Sequence, residues 1–239
     1  MELLAGTSGF SYAPWKGPFY PEDLPDAEML PYYAARFPTV EINNTFYRMP
    51  APKVLEGWAA KVPPEFVFTL KSPRRITHDM RLADAGEQVT EFARRATTLG
   101  PRLARLLFQL PPYLKKDVPR LTAFLDSVPA GTPVTMEFRS SSWQDDEVHA
   151  LLRSRGAVLC VTDTDEGETP FVATAETGYV RLRRTHYDDA DLEGWVRRIA
   201  AQRLQRTYVY FMHEDDALGT VFARRLLELW RARPDPSPA

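Results

Sequence analysis

Polar residues recur at one kind of place in this chain, the last positions of short runs rich in β-branched and apolar residues. LLAGTS ends in Thr7 and Ser8, TVEIN carries Glu41 and Asn43, FVFTLK ends in Lys71, and LLFQLP places Gln109 near its end. VTMEFR contributes Glu137 and Arg139, VLCVTD contributes Thr162 and Asp163, YVRLR contributes Arg181 and Arg183, and YVYFMH runs into His213 and Glu214. A shared site explains this convergence better than a dry core does, because strands that only fill a core need not all end polar. Glu41, Glu137 and Asp163 are the candidates for acid, base or nucleophile. Lys71, Arg139 and Arg181 suit a phosphate or carboxylate, the guanidinium forks especially. Glu137 and Arg139, two apart on one strand, share a face and can pair.

The loops after these runs add to the same inventory. KSPRRITH brings Arg74, Arg75 and His78, and Arg184 extends the basic cluster. Phe10, Tyr12, Trp15, Phe46, Tyr47, Trp143 and Tyr187 interleave with the charges, and flat aromatic faces suit bases or sugars. The ligand-binding candidates are therefore Ser8, Tyr12, Trp15, Asn43, Lys71, Arg74, His78, Gln109, Arg139, Trp143, Arg181 and His213. Three of the four histidines follow strand ends, but HxH, HxxxH and CxxC spacings are absent. No bound metal and no other cofactor is expected. Cys160, the single cysteine, sits among apolar neighbours and reads as core.

Eight such runs must be brought together, and the segments between them show how. EMLPYYAARF, VLEGWAAKV, VTEFARRATTLG, RLTAFLDSV, DEVHALLRSRG, DLEGWVRRIAAQRL and FARRLLELW repeat apolar residues at intervals of three or four. Strand alternating with helix implies parallel strands joined by right-handed crossovers, and eight of them favour closure into a TIM-type (β/α)8 barrel. Residues 164–178, TDEGETPFVATAETG, lack helical spacing, so the helix between strands 6 and 7 is expected to be missing or reduced to a turn. A doubly wound nucleotide fold needs a Gly-rich turn after its first strand, and GTSGFS is neither GxGxxG nor a P-loop. One domain over residues 1–230 is expected, with 231–239, proline-rich, as a loose tail.

Composition sets the outer limits. The 239 residues are 44% hydrophobic and 26% charged, with net charge -2, which is ordinary for a globular chain and argues against a surface devoted wholly to polyanions. A local basic site remains compatible with that. The first residues, MELLAGTSGF, lack a basic n-region, and no apolar run reaches the length of a membrane span, so a cytoplasmic location and no membrane partner are expected.

GTSGFSY, WKGPFYP, VEINNTFYRMP, FTLKSPRRITH, LLFQLPP, EFRSSSW and the final YVYF, taken in order, resemble the YecE-like family, also called the domain of unknown function 72 family. The resemblance covers about residues 3–230 and implies a TIM-type barrel with these motifs at its strand ends. It brings no reaction with it. Its barrel is similar to those of endonuclease IV and xylose isomerase relatives, which leaves a metal-dependent hydrolase as an analogy from fold. After the last strand this chain reads FMHEDD over 211–216 where the family tends to F-N-N-D, so the family pattern lends no role to that strand end. Two functional classes follow. One is a hydrolase of an anionic ligand with the paired glutamates as acid and base; the other is a binding protein for an anionic small molecule or single-stranded nucleic acid.

Overall fold

The computed structural model describes residues 1–213 and 216–233. Its strands are β1 (Glu2–Thr7), β2 (Thr39–Ile42), β3 (Val67–Lys71), β4 (Leu103–Gln109), β5 (Val134–Glu137), β6 (Val158–Thr164), the two-residue β7 (Gly167–Glu168), β8 (Thr177–Leu182) and β9 (Arg206–Phe211). All but β7 pair in parallel, in the order β1-β9-β8-β6-β5-β4-β3-β2. The helices are α1 (Met29–Ala34), α2 (Asn44–Tyr47), α3 (Pro52–Ala60), α4 (Gly86–Ala96), α5 (Val118–Ser127), α6 (Asp146–Ser154), α7 (Asp189–Ala201) and α8 (Leu218–Ala232). This is the expected eight-stranded α/β barrel. The connection after β6 holds the antiparallel β7 and no helix. There Thr174 does part of a strand neighbour's work: its hydroxyl accepts from Leu159 N–H at 2.8 Å and donates to Ala157 C=O at 2.7 Å.

The barrel closes between β1 and β2 through a side chain. The two strands meet at a bridge between Ser8 and Glu41, where Gly9 N–H donates to Glu41 C=O at 2.7 Å. Below that point the fully buried Tyr33 of α1 inserts its hydroxyl into the seam. Thr7 N–H donates to it at 2.8 Å, and it donates to Thr39 C=O at 3.1 Å. One phenol thus satisfies a donor and an acceptor that would otherwise be buried and unmade. Gly6 is required beside it, since a Cβ there would lie 2.0 Å from Thr39 O and 2.8 Å from the Tyr33 hydroxyl.

Strand alternation sorts the side chains. Val40 and Ile42, Leu106 and Phe108, Met136 and Phe138, Leu159 and Val161, and Val180 and Leu182 face outward into the core shared with the helices. The helices answer with stripes such as Val89, Phe92 and Ala96 on α4 and Phe222, Leu226 and Trp230 on α8. Positions of the other parity fill the barrel, where Val67, Leu107, Cys160, Tyr179, Tyr208 and Tyr210 form a separate inner cluster. Burial lifts the Cys160 thiol well above its ordinary value, so it packs as an inert group. No helix among the described residues is long and apolar enough to cross a membrane. Helix α8 continues to Ala232, past residue 230, and the remainder of the expected tail, residues 234–239, lies outside the described residues.

Candidate functional site

Glu41 lies between outward-facing Val40 and Ile42, Glu137 between Met136 and Phe138, and Arg181 between Val180 and Leu182. Strand pleating therefore turns all three into the barrel mouth, where none is more than 1% exposed. The Arg181 guanidinium spans the two carboxylates, donating to Glu137 Oε2 at 2.6 Å and to Glu41 Oε1 at 2.8 Å. The Ser8 hydroxyl also donates to Glu41 Oε1, the Tyr179 hydroxyl donates to Glu41 Oε2, and Arg139 Nε donates to Glu137 Oε1 at 2.5 Å. Asn43 Nδ2 in turn donates to the Ser8 oxygen at 2.8 Å. All four carboxylate oxygens are therefore held by donors of the protein, which is how a buried charge is kept ionised.

The surplus charge around this core is positive. Lys71, Arg139, Arg181 and Arg183 are four cations grouped with two carboxylates. Burial alone would raise the Glu137 carboxyl, but Arg181, Arg139 and Arg183 outweigh it and hold the group down at about 2. Burial and then Arg181 push the Lys71 ammonium down to about 8, with Glu41 and Glu137 opposing. Burial, Arg181 and Arg139 likewise lower Arg183. A cavity of about 180 Å³ opens here, lined by Tyr12, Asn43, Phe46, Tyr47, Lys71, Gln109, Arg181 and Arg183, together with Asn44 and Met212. Lys71 Nζ stands 4.3 Å from the Phe46 ring centroid and makes no ion pair among the described residues. Among those residues, too, Asn43 Oδ1, Arg181 Nε and Arg183 Nε are buried with no hydrogen-bond partner in the protein. Unmet polar atoms of this kind cost free energy unless something else meets them.

Of the residues singled out in the sequence, Ser8, Tyr12, Glu41, Asn43, Lys71, Gln109, Glu137, Arg139 and Arg181 gather at this mouth. Tyr12 reaches it by folding back on its own loop: its hydroxyl donates to Ser8 C=O at 2.9 Å. Gly9 permits this, with φ +93 and no room for a Cβ beneath the Tyr12 ring. His78 stands at the rim, its ring 5.0 Å from that of Phe46, and burial followed by Lys71 lowers its pKa, favouring the neutral imidazole.

The others lie elsewhere. Asp163 has the parity of Leu159 and Val161, so it faces the helices, where Arg184 Nε donates to it at 3.0 Å and Trp195 Nε1 at 3.2 Å. That removes it from the carboxylate pair. Arg184 also reaches Asp191 at 2.9 Å, tying the end of β6 to the start of α7. Trp143 is buried, stacks on Phe138 at 4.7 Å and donates to Leu114 C=O at 2.8 Å. Trp15 is buried among Tyr12, Phe19 and Tyr20. Arg74 is exposed and pairs with Asp79 at 3.1 Å. Strand β9 stops at Phe211, and His213 beyond it packs on Phe222 with Nε2 2.9 Å from Arg184 O; Glu214 lies outside the described residues. Arg183, named in the sequence as a strand-end residue, and Phe46, named among the aromatics, also belong to the site, and Tyr179 is the site residue the sequence reading does not name. Counting back two from Arg181 finds Tyr179 on the same face. No group of three or more His, Cys, Asp or Glu able to hold a metal occurs among the described residues.

The sequence pattern of a family described as "Protein of unknown function DUF72" matches residues 4–239. UPF0759 protein YecE of Escherichia coli K12 is 31% identical over 138 residues, 55% of this chain and 51% of that protein, so the match spans about half the length of that relative. UPF0759 protein YunF of Bacillus subtilis is 25% identical over 193 residues, 74% of this chain and 68% of the relative. The crystal structure of a DUF72 family protein from Thermotoga maritima superposes with a TM-score of 0.86 at 28% identity, over 97% of this chain and all of that one. A DUF72 family protein from Enterococcus faecalis, at 17% identity and a TM-score of 0.79 over 99% of both chains, shares the fold.

Proposed function

The chain belongs to the DUF72 family, and on that premise we propose that its barrel mouth binds a small anionic molecule carrying a phosphate or carboxylate. One observation carries this reading: every oxygen of the two buried glutamates is already held by the protein, so the charged groups left to meet a ligand are cationic. Lys71, Arg139 and Arg183 supply the charge, and Arg183 Nε, Arg181 Nε and Asn43 Oδ1 are the unpartnered polar atoms beside them. Glu41 and Glu137 then act by fixing the Arg181 guanidinium, and Glu137, with its pKa near 2, has no proton to give at neutral pH. This departs from paired-glutamate acid–base hydrolysis. The cavity, about 180 Å³, is small beside the roughly 300–1,000 Å³ of drug-sized sites, which favours a compact metabolite over a nucleic-acid strand.

A thermal-shift panel of phosphate, sulfate, pyruvate, mononucleotides, a short single-stranded oligonucleotide and neutral sugars tests the reading. Small anions at about 100 times their Kd should stabilise by roughly 2.7 kcal/mol, a rise on the order of 5–10 °C for a chain of this size. Added sodium chloride should reduce the rise. Arg139→Lys, which keeps the charge but loses the fork, should weaken it. A response to neutral sugars alone would refute anion binding and favour a glycosidase-like use of the two glutamates. A response to the oligonucleotide alone would favour nucleic-acid binding through exposed Tyr47 and Tyr113.

A further inference from the structure

Lys71 is not built like an anion clamp. A lysine used only to hold charge is best left ionised and near a carboxylate, as Lys116 is with Asp145 at 2.9 Å on this protein's surface. Lys71 instead ends β3 inside the mouth, lies against the Phe46 ring, makes no ion pair among the described residues, and shares the cavity with Arg181 and Arg183. An apolar wall and neighbouring cations are the two surroundings that turn a lysine into a nucleophilic amine. With its pKa near 8, a useful fraction is unprotonated at neutral pH.

We propose that Lys71 forms a protonated imine with the carbonyl group of a small aldehyde or ketone whose phosphate or carboxylate is held at the cavity by Arg183, with Arg139 beside it. The inference rests on the anion-binding reading and adds the reacting group. In the step, the Lys71 nitrogen lone pair forms a bond to the carbonyl carbon and the carbonyl π pair moves to oxygen. The amine's two protons leave with that oxygen as water, and one proton from solvent remains on the imine nitrogen. Nothing is oxidised or reduced. Glu41 and Glu137 both act on Lys71 and offset part of the charge that the imine cation shares with the neighbouring arginines.

Reductive trapping tests this on the full-length protein. Glyoxylate and pyruvate probe a carboxylate-bearing carbonyl, glyceraldehyde 3-phosphate a phosphate-bearing one, and propionaldehyde is the uncharged control. Each is incubated at pH 7 and pH 8.5 with sodium borohydride, and the adduct is located by peptide mass mapping. The chain has six lysines, so the other five serve as internal controls. We expect Lys71 to be modified at least tenfold faster than Lys16, Lys53, Lys61, Lys115 or Lys116 by one of the charged carbonyls, faster at pH 8.5, and suppressed by added phosphate. Lys71→Arg should carry no adduct at that peptide. Because the mapping reads wild-type protein, misfolding of the variant does not blunt the test. A wild-type protein stabilised by phosphate but labelled at Lys71 no faster than at surface lysines would overturn the imine while leaving anion binding intact. Rapid labelling by propionaldehyde with no effect of phosphate would overturn the proposal as a whole.

Discussion

Arg181→Met removes the guanidinium that joins Glu41 to Glu137 while keeping most of the side chain's bulk. The structure sets the scale. Both carboxylates are fully buried, and each loses a donor at 2.6–2.8 Å. Breaking a buried ion pair from one side costs about 3–5 kcal/mol. The displacement of Glu137 from 4.5 to about 2 corresponds independently to about 3 kcal/mol, to which Arg139 and Arg183 also contribute. Chemical denaturation should show a loss in that range, with a fall in Tm on the order of 10 °C. The acid dependence should also weaken. In the wild type the Glu137 carboxyl is depressed, so its contribution is present above pH 4.5 and is lost as pH falls toward 2. Without Arg181, burial is opposed only by Arg139 and Arg183 and the Glu137 carboxyl rises, so the variant should gain stability relative to wild type as pH falls toward and below 4.5. Adding Glu41→Gln and Glu137→Gln should restore most of the loss. An Arg181→Met protein that loses less than about 1 kcal/mol, or keeps the wild-type acid profile, would refute this account of the core.

The seam, the outward carboxylate and the amine give three further tests. Tyr33→Phe leaves Thr7 N–H and Thr39 C=O without the bridging hydroxyl and should cost about 1–3 kcal/mol by urea unfolding; an unchanged midpoint would show that the seam closes without it. Asp163→Asn should cost a similar amount through Arg184 and Trp195, yet leave the anion-induced thermal shift as in wild type; loss of that shift would return Asp163 to the site. Lys71 has a lowered pKa, so between about pH 8 and 10.5 the unfolded chain binds more protons than the native one. Wild type should therefore gain stability over Lys71→Met across that window, by at most about 3 kcal/mol, and a flat difference would contradict the placement of the amine.

The barrel was legible because each strand announces itself twice, by β-branched composition and by a polar end. The missing sixth helix was legible because residues 164–178 offer no apolar period. Most of the site followed from the same strand ends. Asp163 did not, because VLCVTD is apolar on both faces and hides its parity: Cys160 and Val161 look alike in sequence, yet one lies in the barrel and the other beneath the helices. Tyr179 was passed over for a related reason, since a tyrosine at the start of an apolar run reads as packing until its hydroxyl is seen to donate to Glu41. Trp15 and Trp143 misled in the opposite direction. Their motifs hold loops over the barrel, and burial of both rings is what those loops are built on. The Glu137–Arg139 pair was readable from its spacing, but the holding of both glutamates by Arg181 was not, because those partners lie 140 and 44 positions away.

Isothermal titration of inorganic phosphate into the wild-type protein and Arg183→Met at pH 7 tests anion binding most directly. Wild type should bind one phosphate per chain with an affinity that falls as salt rises, and Arg183→Met, deprived of a cation of the cavity but of none of the glutamates' donors, should bind at least tenfold more weakly. No heat with phosphate in the wild type, or equal affinity in the two proteins, would contradict the assignment of this mouth as an anion site.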